Sequence, residues 1–592
     1  MDIGMNDINA LYTLWREKAV LDPDLKAELD AVAGQEDEVL DRFYRNLAFG
    51  TAGLRGVIGA GTNRMNLYTV NQATQGLADF LNARYAAPQV AIAYDSRIKS
   101  DLFAREAAGV LAANGIVVHF FRELVPTPML SFAVRRLRCQ SGIIITASHN
   151  PAKYNGYKCY DPEGYQMTDE AAEETYRCIQ KVDLFEGVKR MDFDEACRDG
   201  RIRFIEDSLI EEFYTRVLSQ RVNPEVCANA GLKVIYTPLN GTGNKPVREV
   251  LHRAGIADVK VVPQQEHPDG NFPTCPFPNP EIRQAFECAL EMAKAHPADL
   301  LLATDPDCDR VGIAVRDGEE YRLMSGNEVG ALLADYLLSQ RKAKGMLPKK
   351  PVVVKTIVTT QLVAAIADQY GAQTVDLLTG FKYIGELVTK LEKKGEADRF
   401  IIGMEESYGY LSGTHARDKD AVVASLLICE MASYYKQQGK TLLQVMDALY
   451  EAHGMYLSSL LNFGFEGAEG MEKMEGMMRA LRAQPPKEIG GMPVALLYDY
   501  QARVVTDMIS GVQREITLPE SNVLSYKLPG GSGVIVRPSG TEPKIKVYIT
   551  AREKTREKAQ RLTDALAADM KRYMNIAVSY THLRAHETRH DL

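Results

Sequence analysis

No apolar run in this sequence approaches the roughly 20 residues needed to cross a membrane. Runs such as 143–145 and 421–429 fall far short, so no membrane partner is expected. The opening MDIGMNDINA lacks the basic stretch and apolar run of a signal peptide. The nine cysteines are odd in number and scattered without paired spacing, which points to reduced thiols and a cytoplasmic setting. Basic charge is also short: 70 Lys and Arg against 78 Asp and Glu leave a formal net charge of −8. Nucleic-acid binding rests on broad basic surfaces, so no nucleic-acid partner is expected. A small anionic substrate needs only a local cluster of Arg and Lys. Nucleotide loops are missing as well, because GTGNKP (241–246) and GAGTNRM (59–65) fit neither G-x-x-x-x-G-K-[ST] nor G-x-G-x-x-G.

What is present is ordinary for a folded chain: 46% apolar and 25% charged residues. At 592 residues the chain is too long for one core, and three to five domains are expected. Residues 1–48 read as charged amphipathic helix around Trp15, the single tryptophan. They form either a cap packed on the body or a partner-binding arm. Three units of one kind follow. VAIAYDSR (90–97), LKVIYTPL (232–239) and PVVVKTIV (351–358) are β-branched apolar runs, each followed by a helical stretch, a Gly and a second run. That is the signature of strand–helix–strand units in mainly parallel sheets. The stretch 464–492, rich in Met, Gly and Glu, reads as a linker. The remainder reads as a smaller domain over 493–574, with strands in ARVVT, VIVRPS and KIKVYIT and a closing helix over 552–574. The last residues, 575–592, carry three of the ten His without apolar periodicity. They are a metal-binding tail or, the preferred reading, a disordered or non-native one.

Four loops carry chemistry. TASHNPAKYNGYKCY (146–160) follows the apolar run SGIIIT, which places Ser148 and His149 at the C-terminal end of a buried strand, where ligands bind in open α/β sheets. Ser148 is a nucleophile there or a capping residue. It is not a hydrolase elbow, since Thr146 and Asn150 stand where G-x-S-x-G needs glycine. ATDPDCDRVGIAV (303–315) puts Asp305, Asp307 and Asp309 on one side if the segment is extended. Three such carboxylates repel unless a cation joins them, and all-oxygen donors select Mg²⁺ or Ca²⁺. An EF-hand is excluded by Arg310 and Arg316 at the positions of its Gly and Glu. With three carboxylates, Mg²⁺ keeps positions for water and a phosphate oxygen. GMEESYGYL (403–411) offers Glu405 and Ser407 for sugar hydroxyls, or else a helix start with an acidic first turn. HARDKDA (415–421) adds Arg417 and Lys419. GGSGVIVRPSGTEPKIKVYIT (530–550) is either a plain hairpin or an anion site. In the second case backbone amides around Ser539, Gly540 and Thr541 make a nest and Arg537 supplies a planar fork.

These four loops, in this order on three α/β units and a smaller domain, resemble the α-D-phosphohexomutase superfamily. Within it they are most similar to the bacterial phosphoglucomutases that also resemble animal phosphopentomutase. GTAGLRGVIGAGTNRMN (50–66) looks like that branch's N-terminal signature, and the likeness spans roughly residues 10–574. It implies an N-terminal helical extension (1–48), a phosphoserine domain (49–205), a magnesium domain (206–318), a sugar-binding domain (319–463) and, after the linker, a phosphate-binding C-terminal domain (493–574). These are expected around a central cleft. By position, Ser148 matches the phosphoserine beside His149. Asp305, Asp307 and Asp309 match the magnesium loop, with the phosphoserine at Ser148 as a further metal ligand and Arg310 as the loop's usual arginine. Glu405 and Ser407 match the sugar-binding E-x-S, and Arg537, Ser539, Gly540 and Thr541 the grip on the phosphate that is not transferred. Arg55 and Lys158 match positions that assist charge and proton transfer. Thr379, Gly380 and Lys382 match the loop that tells the two sugar orientations apart, and Arg417 and Lys419 join the expected substrate contacts. Tyr408 and Gly409 stand where many relatives have a His, which leaves Lys158 as the candidate base. The implied activity is interconversion of α-D-glucose 1-phosphate and glucose 6-phosphate by a monomer or homodimer. Mg²⁺ is its cofactor and glucose 1,6-bisphosphate its intermediate and activator. Phosphopentose is the alternative substrate, and a non-catalytic sugar-phosphate binder the other alternative.

Overall fold

The computed structural model describes residues 5–50, 53–465, 467–539 and 544–576. Each of the three β-branched runs forms its strand–helix–strand unit. Gln89–Tyr94, Ser100–Ala113 and Val117–Phe120 make the first, Lys233–Thr237, Asn244–Arg253 and Asp258–Val261 the second, and Val352–Thr356, Leu362–Gln369 and Gln373–Leu377 the third. In every unit the two strands pair in parallel. The central strand Ser141–Ile145 is buried at all five positions, as a strand covered on both faces must be.

By compactness the chain divides into two units. The first holds Met1–Met324, Phe381–Gly403 and Ser407–Gly439, and the second holds Ser325–Gly380, Met404–Glu406 and Lys440–Leu592. The first contains a six-stranded sheet in which four parallel strands are extended along one edge by Tyr154–Tyr160 and then Gly53–Val57, each antiparallel to the strand before it. It also contains a five-stranded sheet in which Leu300–Thr304 is parallel to Lys233–Thr237 and antiparallel to Val311–Asp317. Both sheets are therefore mixed. In the second unit a seven-stranded antiparallel sheet runs from Met455–Gly464 to Gln513–Glu515 and is covered by the closing helix Arg556–Tyr573. The described part of the 464–492 stretch differs from the expected linker. Gly467–Ala483 is a helix whose Met474, Met478 and Leu481 join that domain's core. Their spacing is helical, and a Met-rich face fills the irregular surface of a sheet. Residues 577–592 lie outside the described residues. Among the described residues no helix is long and apolar enough to cross a membrane.

The N-terminal segment forms three helices, Met5–Lys18, Pro23–Ala31 and Glu36–Phe43. It is docked on the body. Trp15 is fully buried, with ring centroids 5.5 Å from Tyr68, 5.7 Å from Phe185 and 5.8 Å from Phe43. Glu28 accepts the Ala60 amide at 2.9 Å and pairs with Arg42 at 2.9 Å, so these helices also brace the loop leading to Asn66. Truncating a buried Trp costs about 3–5 kcal/mol. Trp15→Ala should lower the unfolding free energy, obtained from urea titration followed by circular dichroism, by that amount. A loss under about 1 kcal/mol would show that the helices contribute little to the body.

Candidate active site

Two strand ends in the first unit meet here. Beyond Ile145 the chain turns sharply, and Ser148 takes a left-handed conformation with φ of 52°. Its amide donates to Thr146 Oγ1 at 2.8 Å and its carbonyl accepts from Arg97 at 2.6 Å. The nearly buried Ser148 hydroxyl donates to Asp305 Oδ2 at 2.8 Å and lies 3.2 Å from His149 Nδ1. Beyond Thr304 the second strand enters its own turn. The sequence suggested an extended segment, but Pro306 and the left-handed Cys308 (φ 52°) fold it back. Cys308 N then bonds the Asp305 carbonyl at 2.9 Å. The carboxylates of Asp305, Asp307 and Asp309 converge all the same, with one oxygen from each within 4.8 Å of the others, and all three are almost fully buried.

The electrostatics of this nest fit a cation. Asp305 Oδ1 accepts the amides of Asp309 and Arg310 at 3.1 and 3.0 Å. Asp307 Oδ2 accepts Lys158 Nζ and Thr127 Oγ1, each at 3.0 Å. Asp309 Oδ2 lies 3.0 Å from Lys419 Nζ. Asp307 Oδ1 and Asp309 Oδ1 are buried and accept no hydrogen bond, which leaves hard oxygen donors aimed at a common point. Burial and the two neighbouring carboxylates push the Asp305 pKa well up, and burial with Asp307 raises that of Asp309. Burial acts against Asp307 too, but Lys158 and Lys419 prevail and hold it below the usual carboxylate range. His149 is edge-on to Phe277 at 6.0 Å. Desolvation first, then Arg310 and Arg55, hold its pKa well below the ordinary value, so the imidazole is neutral near pH 7.

Of the other expected residues, some reach the nest. Arg55 lies opposite Gly156 in an antiparallel pair, exposed, with its charge acting on His149. Arg310 pairs with Glu281 at 2.7 Å, and its backbone bridges to Gly409 just after Ser407. A Cβ at Gly409 would collide with the Lys419 side chain, so glycine is required there. The E-x-S segment is a turn between the strands Phe400–Glu405 and Gly409–Leu411, not a helix start. Lys419 adjoins Asp309 and Asp418, which makes it part of the carboxylate nest. Two expectations need correction. Arg417 is fully buried and bonds Thr389 Oγ1, the Thr414 carbonyl and Glu392, so its guanidinium is consumed by its own fold. Lys382 is buried and paired with Asp169 at 2.5 Å.

In the second unit, Gly380 N donates to Glu405 at 3.0 Å, with Gly380 at φ 124°, and Thr379 Oγ1 is buried without a hydrogen-bond partner. Arg537 is in register with Lys546 and bonds the Tyr548 hydroxyl. Ser539 N donates to the Lys544 carbonyl at 2.7 Å. Gly540 and Thr541 lie outside the described residues. Thr127 and Arg97 escaped the sequence reading. The only signals were the Pro at the start of the helix Thr127–Arg136 and the charged end of VAIAYDSR.

Models of the four domains of the phosphoglucomutase/phosphomannomutase family match this chain. The three alpha/beta/alpha domains fall at residues 46–186, 211–318 and 325–453, and the C-terminal domain at 499–568. A phosphoglucomutase of Staphylococcus saprophyticus is 36% identical over 516 residues, covering 87% of this chain and 92% of that protein. One from Staphylococcus aureus is 36% identical over 521 residues with the same coverage. Among solved structures, a putative phosphomannomutase from Thermus thermophilus superposes with a TM-score of 0.65 at 22% identity, covering 89% of this chain and 99% of that one. Parafusin from Paramecium, in an open form, has a TM-score of 0.65 at 16% identity, covering 91% and 96%. These two share the fold. The chain is a four-domain α/β protein with a nest of three buried carboxylates, and it belongs to the phosphoglucomutase/phosphomannomutase family of the α-D-phosphohexomutases.

The nest makes a direct prediction. Asp307→Asn should weaken Mg²⁺ binding in isothermal titration at least about tenfold, the loss typical even of an outer-shell partner. An unchanged Kd would exclude the nest as the metal site.

Proposed function

We propose that this chain is a magnesium-dependent phosphoglucomutase of the cytoplasm that interconverts α-D-glucose 1-phosphate and glucose 6-phosphate. The observation that carries the reading is the Ser148 hydroxyl, bonded at 2.8 Å to one of three buried carboxylates whose remaining oxygens want a cation. The curated relatives named phosphoglucomutase support glucose as the sugar. The cysteines, all free and none strongly exposed, suit a reducing compartment.

Asp305, Asp307 and Asp309 would hold Mg²⁺, which when bound neutralises phosphate oxygens and so favours phosphoryl transfer. The chain's own groups do the rest. Ser148, carrying a phosphoryl group, presents it to the free hydroxyl of the sugar phosphate. The P–Oγ bond breaks as the new P–O bond forms, giving glucose 1,6-bisphosphate. Lys158, held by Asp307 at 3.0 Å, acts as the base: it takes the proton of the attacking sugar hydroxyl and passes one to the departing Ser148 oxygen, and the reverse step runs the same transfer backwards. Arg55 and Arg310 add positive charge beside the nest. After the bisphosphate turns over, its other phosphate passes to Ser148. Glu405 and Ser407 hold the sugar in both poses, Thr379 and Gly380 line that loop, and Arg537 with Ser539 holds the phosphate at rest. The domain roles are then phosphoserine (49–205), magnesium (206–318), sugar (319–463) and resting phosphate (493–574).

The test is turnover of glucose 1-phosphate and ribose 1-phosphate side by side. Glucose 1-phosphate should show the higher kcat/KM, and Ser148→Ala should lower its kcat about 10³-fold or more. Preference for ribose 1-phosphate would make the enzyme a phosphopentomutase, and release of inorganic phosphate would make it a phosphatase.

A further inference from the structure

Ser148 sits in the left-handed conformation, at φ 52°, which crowds the Cβ of a non-glycine residue, and such strain persists only where the surroundings over-determine it. The group that does so is Arg97. Its side chain is fully buried, and its two terminal nitrogens reach four main-chain carbonyls of the serine loop. Nη2 donates to Ser148 O at 2.6 Å and to Asn150 O, and Nη1 donates to Pro151 O and Tyr154 O, each at 3.0 Å. Asp95 anchors the base of the clamp. Its Oδ1 accepts the Arg97 amide at 2.9 Å and the Ser100 hydroxyl at 2.8 Å, and its Oδ2 lies 3.4 Å from Arg97 Nε. The amide of Asp95 also donates to Ile145 O at 3.1 Å, which ties the clamp to the strand that leads into the serine. From the domain carrying the carboxylates, Phe272 covers the guanidinium at 5.1 Å. Gly270 approaches so closely that a Cβ there would lie 2.5 Å from Ile98 N.

We propose that Arg97 is a positioning residue for the phosphoryl transfer: its fork fastens the main chain of the serine loop and thereby sets where the Ser148 oxygen stands against Asp305. The proposal rests on the mutase reading. Arg97 touches neither reacting atom. The bonds of its two terminal nitrogens all go to main-chain carbonyls, so the clamp is indifferent to the side chains of the loop. A planar fork reaches two pairs of acceptors, which a lysine ammonium, a single point of charge, cannot do. A misplacement of about 1 Å at a reacting group costs about 10²-fold in rate. Sugar and resting phosphate are gripped by other residues, so the loss belongs in kcat.

Arg97→Lys is compared with wild type by steady-state kinetics on glucose 1-phosphate with saturating bisphosphate, by Mg²⁺ titration, and by hydrogen exchange of the peptide covering 146–154. Expected are a kcat lowered about 30- to 300-fold, KM and the Mg²⁺ Kd within about threefold, and exchange of the loop at least about tenfold faster with the 141–145 strand unchanged. A kcat within about threefold of wild type, or a loss shared equally by KM, would overturn the proposal. So would unaltered exchange in the loop. If Arg97→Lys fails to fold, Asp95→Asn, which keeps the Oδ1 acceptor but removes the charge facing Arg97 Nε, is judged by the same split with an expected kcat loss of about tenfold. Wild type without mutase turnover would defeat the functional reading instead, and the exchange comparison then decides the clamp alone.

Discussion

Three carboxylates buried within 4.8 Å of one another are the constraint on which the rest of this site depends. Two unit charges 4 Å apart repel by about 4 kcal/mol at an effective dielectric constant of 20, and their desolvation adds several more per ion. No local sequence could tolerate this without positive charge from elsewhere. The fold supplies it by bringing Lys158 from one sheet and Lys419 from the segment before a helix N-terminus. Lys158 meets Asp307 at 3.0 Å and Asp309 at 3.9 Å, Lys419 meets Asp309 at 3.0 Å, and two carboxylate oxygens still accept no hydrogen bond. A site so acidic and so dry is a poor contributor to stability and a good receptor for a hard cation and the phosphate it attracts.

The strain at the site has the same origin. Three of the loops described above each contain one left-handed non-glycine residue: Ser148 (φ 52°), Cys308 (φ 52°) and Tyr408 (φ 67°). Each lies just beyond the C-terminal end of a buried strand. An extended strand sends successive side chains to opposite faces, so several functional groups can converge only if the chain breaks that alternation at once. The positive φ values are the local cost of the convergence. Neighbouring groups hold the breaks in place. Thr127 bonds the Asp307 carboxylate at 3.0 Å and, through its amide, the Asp307 carbonyl at 2.9 Å. The Tyr408 carbonyl accepts the Val311 amide at 3.1 Å.

The strand–helix–strand units were legible because buried parallel strands demand β-branched runs and their helices end at glycines. The serine and aspartate loops were legible because their residue types are concentrated in a few positions. The shape of the aspartate loop was not, since alternation in a strand says nothing about a turn begun by Pro306. Arg417 and Lys382 were misplaced for a related reason. A cation near a motif reads as a substrate contact, while only the fold reveals that Glu392 and Asp169 have already claimed these two. Thr127 and Arg97 were invisible because their partners lie 180 and 51 residues away. The helix Gly467–Ala483 hid behind its Gly and Met content, although Met474, Met478 and Leu481 mark its buried stripe.

The central claim is that Ser148 gives its phosphoryl group to the sugar and takes the sugar's other phosphate in its place. Peptide mapping by mass spectrometry of enzyme whose phosphate carries an oxygen-isotope label, before and after a single turnover with unlabelled glucose 1-phosphate, tests this most directly. The account predicts one labelled phosphate per chain on Ser148 before turnover, and afterwards, when Mg²⁺ is present, an unlabelled phosphate on Ser148 with the label on the product sugar phosphate. Phosphate on a different residue, or a Ser148 phosphate that stays in place while the sugar isomerises, would contradict it.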